Sequence, residues 1–191
     1  MQLHIFLIGN SHFLTGDDIM TDIRLRKIVI TSMFAAITCV STMVIRIPSP
    51  MNGYINLGDC AVLLSAWIMG PFYGTVAGGI GSMLADVLSG YLHYAPGTLI
   101  IKAFMGLIAY EIYKIIGKAT KNDIVTKAVA GIAGELFMVC GYFLYAFLLL
   151  GKGIAAAASI PGNIVQGVAG VVSAVLIYEA LARVININRK V

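Results

Sequence analysis

The sequence predicts an all-α integral membrane protein with six transmembrane helices and both termini in the cytoplasm. Hydrophobic residues make up 59% of the 191 residues and charged residues only 12%, whereas soluble domains carry about 25% charged residues. The mean hydropathy is +0.91. At ~20 residues per membrane-spanning helix, the chain is long enough for roughly five to seven helices. A separate soluble domain is therefore excluded.

Six apolar segments have the composition of membrane spans. They are Ile28–Ile47, Leu57–Gly70, Phe72–Gly90, Thr98–Gly117, Lys127–Leu150 and Ile160–Ile185. The second is the shortest, at about 14 residues where ~20 cross a membrane comfortably. Gly70-Pro71 follows it, and proline suits the first turn of a new helix because its missing N–H is not needed there. We therefore predict a tight hairpin at the membrane surface between the second and third spans.

The first nineteen residues lack the features of a signal peptide, because the apolar stretch His4–Gly9 is short and has no basic flank. Met20 is followed by Arg24, Arg26 and Lys27 directly before the first apolar segment. We interpret residues 1–19 as a non-native or disordered N-terminal extension, with translation starting at Met20. Residues 20–191 then form one six-helix membrane domain.

The positions of lysine and arginine predict the orientation, because cytoplasmic loops are enriched in both. With the N-terminus inside, ten of the thirteen basic residues lie on the cytoplasmic side: Arg24, Arg26, Lys27, Lys114, Lys118, Lys121, Lys127, Arg183, Arg189 and Lys190. Only Arg46 and Lys152 lie outside, and Lys102 lies within the membrane. The loops 48–56, 91–97 and 151–159 then face outward. We predict a multi-pass protein of the cell membrane (the bacterial plasma membrane), surrounded by lipid.

Three ionisable residues, Asp86, Lys102 and Glu135, stand inside apolar segments. A charge there costs about 2.5–3.5 kcal/mol on insertion scales unless it is paired or faces a cavity, so these residues mark the interior of the bundle. Asp86 and Lys102 lie near the outer ends of neighbouring antiparallel spans and could form an ion pair. Alternatively, Lys102 binds a carboxylate or phosphate of a ligand. Glu135 either recognises a ligand or carries a proton.

The outer side also concentrates aromatic and amide side chains. Tyr54 lies in the first outer loop, and Tyr91 and Tyr94 lie in the second. They form either an interfacial aromatic belt or a lid over a pocket. Asn163 and Gln166 are three residues apart at the outer end of the last span, so they share one helix face. That face either lines the pocket or hydrogen-bonds to a neighbouring helix.

Other sites of chemistry are not indicated. Cys39, Cys60 and Cys140 are widely spaced in apolar segments, which favours packing over metal or redox roles. No phosphate-binding loop sequence is present, and the spans contain no HExxH, paired-Asp or Ser–His arrangement. The net charge of +4 is spread over helix ends, unlike a nucleic-acid-binding stripe. We therefore predict no cofactor, no nucleic acid and no enzymatic activity.

The first span carries two overlapping small-residue strips, Thr31-x-x-x-Ala35 and Ser32-x-x-x-Ala36. Such spacing lets helix backbones approach closely. Either strip can pack inside the chain or contact a partner subunit, and spacing alone does not choose between these roles.

Several sequence runs together resemble the substrate-binding S components of energy-coupling factor (ECF) vitamin transporters. In the first half they are Gly53-Tyr54-Ile55-Asn56-Leu57-Gly58-Asp59, Gly70-Pro71, Ala77-Gly78-Gly79-Ile80-Gly81-Ser82 and Ala85-Asp86. Tyr91, Ala95-Pro96-x-Thr98-Leu99, Lys102 and Pro161-Gly162-Asn163-x-x-Gln166 continue the resemblance. The match covers roughly residues 24–185, and its specificity comes from the combined pattern.

The resemblance implies a subunit that captures a vitamin or vitamin precursor from outside with very high affinity. It also implies docking onto a membrane coupling protein with two ATPase subunits, and inward delivery by toppling of the subunit. In the family the small residues of span one contact the coupling protein. Here the strict Ala-x-x-x-Ala is replaced, so our candidates for that contact are Thr31, Ser32, Ala35 and Ala36.

The candidate substrate-binding residues are Tyr54, Asn56, Tyr94, Thr98, Lys102, Glu135, Tyr142, Asn163 and Gln166. Two other functions compete with this one. A self-sufficient carrier driven by an ion gradient would use Glu135 or Asp86 as the proton carrier, and a small membrane enzyme would need a constellation that the spans lack. The ligand stays open, since Lys102 suits an anion such as pantothenate, whereas the amides and tyrosines suit a pyrimidine or pyridine ring.

Overall fold

The computed structural model describes residues 16–44, 46–49, 53–120 and 122–185, and the described chain is predominantly helical. In chain order the elements are α1 (Gly16–Val44), β1 (Arg46–Ser49), β2 (Gly53–Asn56), α2 (Gly58–Leu88), α3 (Ala95–Ala119), α4 (Asp123–Leu144) and α5 (Ile160–Ile185). A π-helical turn, Tyr145–Leu149, extends α4, and a 3₁₀ helix, Gly153–Ser159, precedes α5.

Helix α2 folds back on itself at Gly70. The backbone there has φ 83° and ψ −175°, a left-handed φ that glycine adopts readily, and Pro71 begins the second half. The two halves run side by side, since Ser65 Oγ donates a hydrogen bond to the Gly74 carbonyl at 3.0 Å. A methyl group at Gly78 would lie 2.9 Å from the Val62 side chain. The chain thus reverses at the position of the predicted hairpin.

Among the described residues, four helical stretches are long and apolar enough to cross a membrane: Asp22–Val44, Gly58–Leu88, Asp123–Leu149 and Gly153–Val184. The helical architecture agrees with the predicted all-α class. The number of six spans and the cytoplasmic position of both termini stay predictions, as does the proposed start at Met20. Residues 1–15 of the predicted N-terminal extension lie outside the described residues.

The first outer loop differs from the prediction, because the first span was expected to continue to Ile47. Instead α1 ends at Val44 and residues 46–49 pair with residues 53–56 in an antiparallel hairpin. Ile47 stands opposite Ile55 in the register, and cross-strand pairs of β-branched residues stabilise such ribbons. The outer loop therefore has a defined structure, which we call the outer hairpin (β1 and β2).

Two helices begin earlier than predicted. Helix α3 starts at Ala95 with Pro96 in its first turn, where proline is favoured. Helix α4 starts at Asp123 because the Asn122 side chain accepts a hydrogen bond from the Val125 N–H at 3.2 Å and caps the helix.

Small residues set the distances between helices. A methyl group at Gly81 would lie 2.4 Å from the Ala35 carbonyl oxygen, so α1 and α2 are in close contact. One at Gly134 would lie 2.9 Å from the Met105 carbonyl oxygen, which brings α4 against α3. Such close approach requires residues without bulk. The core that results brings the N-terminal ends of α2, α3 and α5 together beneath the outer hairpin.

Candidate functional site

Asp59 is the centre of a buried polar cluster. It lies in the first turn of α2 and is fully buried. Lys102 on α3 donates to its Oδ1 atom, and the Gln166 Nε2 on α5 donates to its Oδ2 atom at 2.7 Å. Both carboxylate oxygens are thus satisfied, as a buried charge requires. The cluster connects three helices at one point.

Gln166 also connects this cluster to the outer hairpin. Its Oε1 atom accepts a hydrogen bond from the Asn56 backbone N–H at 2.9 Å. The Asn56 side chain in turn accepts one from the Gly58 N–H at 2.8 Å. The end of β2 is therefore fixed directly above Asp59, and one glutamine holds both the buried carboxylate and the hairpin.

Of the two alternatives for Lys102, the ion pair with Asp86 is wrong. Lys102 pairs with Asp59, and Asp86 accepts a hydrogen bond from the Tyr54 hydroxyl of the outer hairpin at 2.7 Å. Burial, together with the charge of Asp86, raises the pKa of Tyr54, so the phenol stays protonated and donates. The two carboxylates lie in opposite halves of the folded-back α2. The packing of these halves against α3, which the sequence does not reveal, selects Asp59.

Three of the predicted residues lie together beside this cluster. The Tyr142 hydroxyl donates to Thr98 Oγ1 at 3.0 Å, and the Lys102 ammonium lies 5.5 Å from the centre of the Tyr142 ring. Tyr94 lies at the rim, where its hydroxyl accepts a hydrogen bond from Lys152 at 3.0 Å. The residue before the 3₁₀ helix and the residue before α3 are thus connected on the outer side.

The outer aromatic residues form one continuous group of rings. Tyr54 and Tyr91 have ring centroids 4.7 Å apart, and His93 and Tyr94 have centroids 4.8 Å apart. Tyr94 and Tyr142 extend the group at 6.4 Å in an edge-on arrangement. Rings at these distances attract one another. The group connects the outer hairpin, the segment before α3 and helix α4.

Glu135 on α4 is another buried carboxyl group near Asp59. Its side chain is 5% exposed, and no donor among the described residues hydrogen-bonds to either carboxylate oxygen. Two glycines of α5 face it: a methyl group at Gly167 would lie 3.2 Å from Oε2, and one at Gly170 would lie 2.8 Å from Oε1. The same methyl group at Gly170 would lie 2.8 Å from the Asp59 Cβ. Glu135 therefore lies next to the Asp59 cluster.

A cavity of about 200 Å³ lies between α4 and α5 and includes Glu135 in its wall. Glu135 is the one polar side chain among the nine residues that line it. The others are aliphatic residues or glycine, such as Val139 and Val171. The cavity opens between α4 and α5 on the outward surface of the helix bundle, where the side chains of Leu136 and Val168 are exposed. Its walls thus offer apolar contact together with one carboxyl group.

The remaining predicted residues lie on α5 and α1. Asn163 is half-buried one turn before Gln166 on α5, and the hydrogen bonds of the described cluster do not include it.

On α1, the side chains of Ser32 and Ala36 are exposed, whereas those of Thr31 and Ala35 are half-buried. The Ala35 backbone contacts α2 at Gly81. The strip Ser32-x-x-x-Ala36 is therefore the one that is free to contact another protein.

Asp59 is absent from the residues that sequence reasoning selected. It stands at the boundary between the first outer loop and the short second span, where a carboxylate is expected to face water. The run Asn56-Leu57-Gly58-Asp59 could have indicated the burial of Asp59, because the neighbouring Gly58 permits close packing of this segment against α1. A methyl group there would lie 2.0 Å from Thr42 Oγ1.

Lys127 was counted among the basic residues on the cytoplasmic side, and the structure buries its side chain completely. It forms ion pairs with Asp123 on its own helix and with Glu179 on α5, the latter at 2.9 Å. Its ammonium group also lies 3.8 Å from the centre of the Tyr178 ring. This second buried charge cluster connects α4 to α5 away from the Asp59 cluster.

Within the described ranges, no group of three or more His, Cys, Asp or Glu side chains could hold a metal ion.

Comparison with known families and proteins gives consistent matches. A family profile described as "ECF-type riboflavin transporter, S component" matches residues 22–183. The thiamine precursor transporter HmpT of Lactococcus lactis subsp. cremoris is 25% identical over 168 residues, which cover 86% of this chain and 93% of that protein. A protein of Pyrococcus woesei, described as "Uncharacterized protein in gap 3'region", is 41% identical over 134 residues. This match covers 70% of this chain and 86% of the Pyrococcus protein.

A solved structure shares the fold. It is titled "Structure and mechanism of the S component of a bacterial ECF transporter", and it matches with a TM-score of 0.67 at 24% sequence identity. The match covers 85% of this chain and 98% of that chain.

Proposed function

The chain belongs to the family of ECF-type riboflavin transporter S components, and from this premise we propose that it binds a vitamin or vitamin precursor with high affinity for an ATP-driven ECF importer. The family consists of transporter components and is not a class of enzymes. The similarity to a thiamine precursor transporter over 93% of that protein's length supports a ligand of vitamin-precursor type.

The observation that carries this proposal is the buried polar cluster beneath the outer hairpin. Asp59, Lys102 and Gln166 are all buried in an otherwise apolar bundle. Polar groups are expensive there and mark substrate pathways in membrane proteins. The hairpin is hydrogen-bonded to the cluster through Gln166 and to Asp86 through Tyr54. Release of these two contacts would open the cluster to the outer side, so the hairpin acts as a lid.

The proposed placement follows from the distribution of charge and hydropathy. The protein lies in the cell membrane with six spans and cytoplasmic termini, so the outer hairpin and the aromatic group face the exterior. Exposed aliphatic side chains on α1, such as Val29 and Val40, contact lipid. The ligand then enters from the side on which the lid lies.

The energy for uptake comes from partner subunits in this proposal. The sequence has no phosphate-binding loop of its own. A membrane coupling protein docks on the exposed small residues Ser32 and Ala36 of α1, and two ATPase subunits bound to the coupling protein hydrolyse ATP. Small residues at the contact allow the close helix approach that association within a membrane requires.

The test begins with mass spectrometry of small molecules released from the purified protein, because tight binding retains the native ligand. The identified molecule is then offered to vesicles that contain the chain alone or the chain with a coupling protein and two ATPases. We expect ATP-dependent uptake only with the partners. Concentrative uptake by the chain alone under a proton gradient would contradict the proposal. It would favour a carrier in which Glu135 or Asp86 carries the proton.

A further inference from the structure

The segment that follows α4 ends in a lysine between two glycines. The π-helical turn Tyr145–Leu149 leads to Gly151, Lys152 and Gly153, and we call residues 145–153 the outer strap. Gly151 and Gly153 have φ angles of 65° and 54°, left-handed values that glycine adopts readily. The backbone conformation on both sides of Lys152 is therefore one that the sequence specifies.

Two hydrogen bonds join the outer strap to the turn that precedes α3. We call residues 89–94 the α2–α3 turn. The Tyr145 hydroxyl donates a hydrogen bond to the His93 carbonyl at 2.8 Å, and the Lys152 ammonium donates one to the Tyr94 hydroxyl at 3.0 Å. The partners are 52 and 58 positions apart along the chain. The strap therefore restrains a turn that belongs to a distant part of the sequence.

The ring of Tyr145 adds packing to these hydrogen bonds. A methyl group at Gly97, in the first turn of α3, would lie 2.6 Å from atoms of the Tyr145 ring, so the absence of a side chain at Gly97 allows this contact. The Tyr145 and Tyr94 ring centroids are 6.1 Å apart, and the Lys152 ammonium lies 5.0 Å from the centre of the Tyr94 ring. An ammonium group at this distance from an aromatic ring is attracted to it. Tyr94 is thus held by two side chains of the strap.

The α2–α3 turn contacts the outer hairpin in its turn. The rings of Tyr91 in the turn and Tyr54 in β2 have centroids 4.7 Å apart. The Tyr91 N–H donates to the Asp86 carbonyl at 2.8 Å, and the Tyr54 hydroxyl donates to the Asp86 side chain at 2.7 Å. The Tyr94 N–H donates to the Tyr91 carbonyl, also at 2.8 Å. Displacement of Tyr94 would therefore move the ring against which Tyr54 packs.

We propose that Tyr145 and Lys152 are positioning residues that hold the outer hairpin closed through the α2–α3 turn. This inference rests on the proposed function, in which the hairpin is the lid. The strap fixes Tyr94, Tyr94 fixes Tyr91, and Tyr91 supports Tyr54. Coupling between separate segments can travel through such chains of packed and hydrogen-bonded side chains. Release of the strap removes support from the hairpin, so the hairpin opens more often.

The experiment measures hydrogen exchange of the β2 amides in the full chain in detergent. In Lys152→Met we expect exchange about fivefold faster, the size expected for the loss of one hydrogen bond. Lys152→Arg keeps a cationic donor and should restore a rate close to that of the unmodified chain. The matched control is Lys118→Met, the same change at an exposed position of α3, which should leave β2 exchange unchanged. The unfolding temperature should be the same in all of these variants, because the strap changes lie outside the buried core.

A double-mutant cycle tests the path from the strap to the hairpin. Tyr91→Ala removes the ring that packs on Tyr54. If the strap acts through Tyr91, addition of Lys152→Met to Tyr91→Ala gives no further acceleration of β2 exchange. Independent effects that multiply in the double variant would overturn the inference, because coupled residues are expected to depart from additivity. Unchanged exchange in Lys152→Met would overturn it as well.

A second variant decides if one of these chains does not fold. Tyr145→Phe removes a single hydroxyl group and its hydrogen bond to His93. Faster β2 exchange in this variant supports the inference, and an unchanged rate overturns it. None of these measurements needs a bound molecule, so a negative result leaves the proposed function standing. Absence of ATP-dependent uptake with the partner subunits would instead overturn the proposed function and leave the exchange rates as they are.

Discussion

Lys102 on α3 and Asp59 on α2 form an ion pair that is closed to solvent, with side-chain exposures of 3% and 0%. The pair lies directly beneath the outer hairpin, because Gln166 bonds to both Asp59 and the Asn56 backbone. Fold stability and access to the site therefore depend on the same few side chains. Single substitutions should change both the stability of the fold and the access of a ligand to the site, and paired substitutions should separate these two effects.

Replacement of Lys102 by Met should lower the free energy of unfolding by about 3–5 kcal/mol, since it leaves the Asp59 carboxylate buried without its cation. The double change Lys102→Met with Asp59→Asn should restore most of that loss, because no unpaired charge remains. Chemical unfolding in detergent measures both. The control is Lys102→Met with Asp86→Asn, which should not restore stability. If the Asp86→Asn change restored stability instead, Lys102 would pair with Asp86 in the second half of α2, and the assignment to Asp59 would be wrong.

Gln166→Leu should loosen the outer hairpin. The Asn56 N–H and Asp59 Oδ2 both lose their partner, so β2 is no longer held above the cluster. We expect faster hydrogen exchange of the β2 amides and at least tenfold faster release of the bound native ligand. Asn163→Leu, one turn earlier on α5, is the matched control and should leave β2 exchange unchanged. Equal exchange in the two variants would show that the hairpin is held by other contacts.

Ala36→Trp should spare ligand binding and abolish ATP-dependent uptake in the presence of the partner subunits. Ala36 is exposed on α1, so an indole fits there without a change in the fold but blocks a close helix contact. Binding by calorimetry and uptake in vesicles give the two readings. Thr38→Trp is the contrasting variant: Thr38 is fully buried against α2, so overpacking should reduce stability and binding together. Loss of binding in Ala36→Trp would indicate that this strip packs inside the chain.

Lys127→Met should destabilise the protein by about 1–3 kcal/mol, because the half-buried carboxylates of Asp123 and Glu179 then lose their common cation. Lys118→Met changes the same residue type at an exposed position of α3 and should alter stability by no more than about 0.5 kcal/mol. Unfolding curves of the two variants test the difference. Equal stability would mean that the Lys127 cluster contributes little beyond packing.

The sequence by itself determined the helical membrane architecture, the reversal at Gly70-Pro71 and the interior position of Lys102 and Glu135. Each follows from local physics: apolar length sets a span, a Gly-Pro pair sets a turn, and a charge within an apolar segment must avoid lipid. These properties depend on neighbouring residues along the chain, so they can be read without knowledge of the packing.

Only the tertiary structure decided which charges meet. Lys102 could reach a carboxylate in either half of α2, and the rotation and close packing of those halves select Asp59. The exposed strip of α1 likewise depends on which face contacts Gly81, since both strips have the same spacing. Lys127 follows the same logic, because its burial depends on Tyr178 and Glu179 of a helix about 50 residues further along the chain. Partner choice in a bundle is a property of helix rotation and register, and residue spacing along the chain fixes neither.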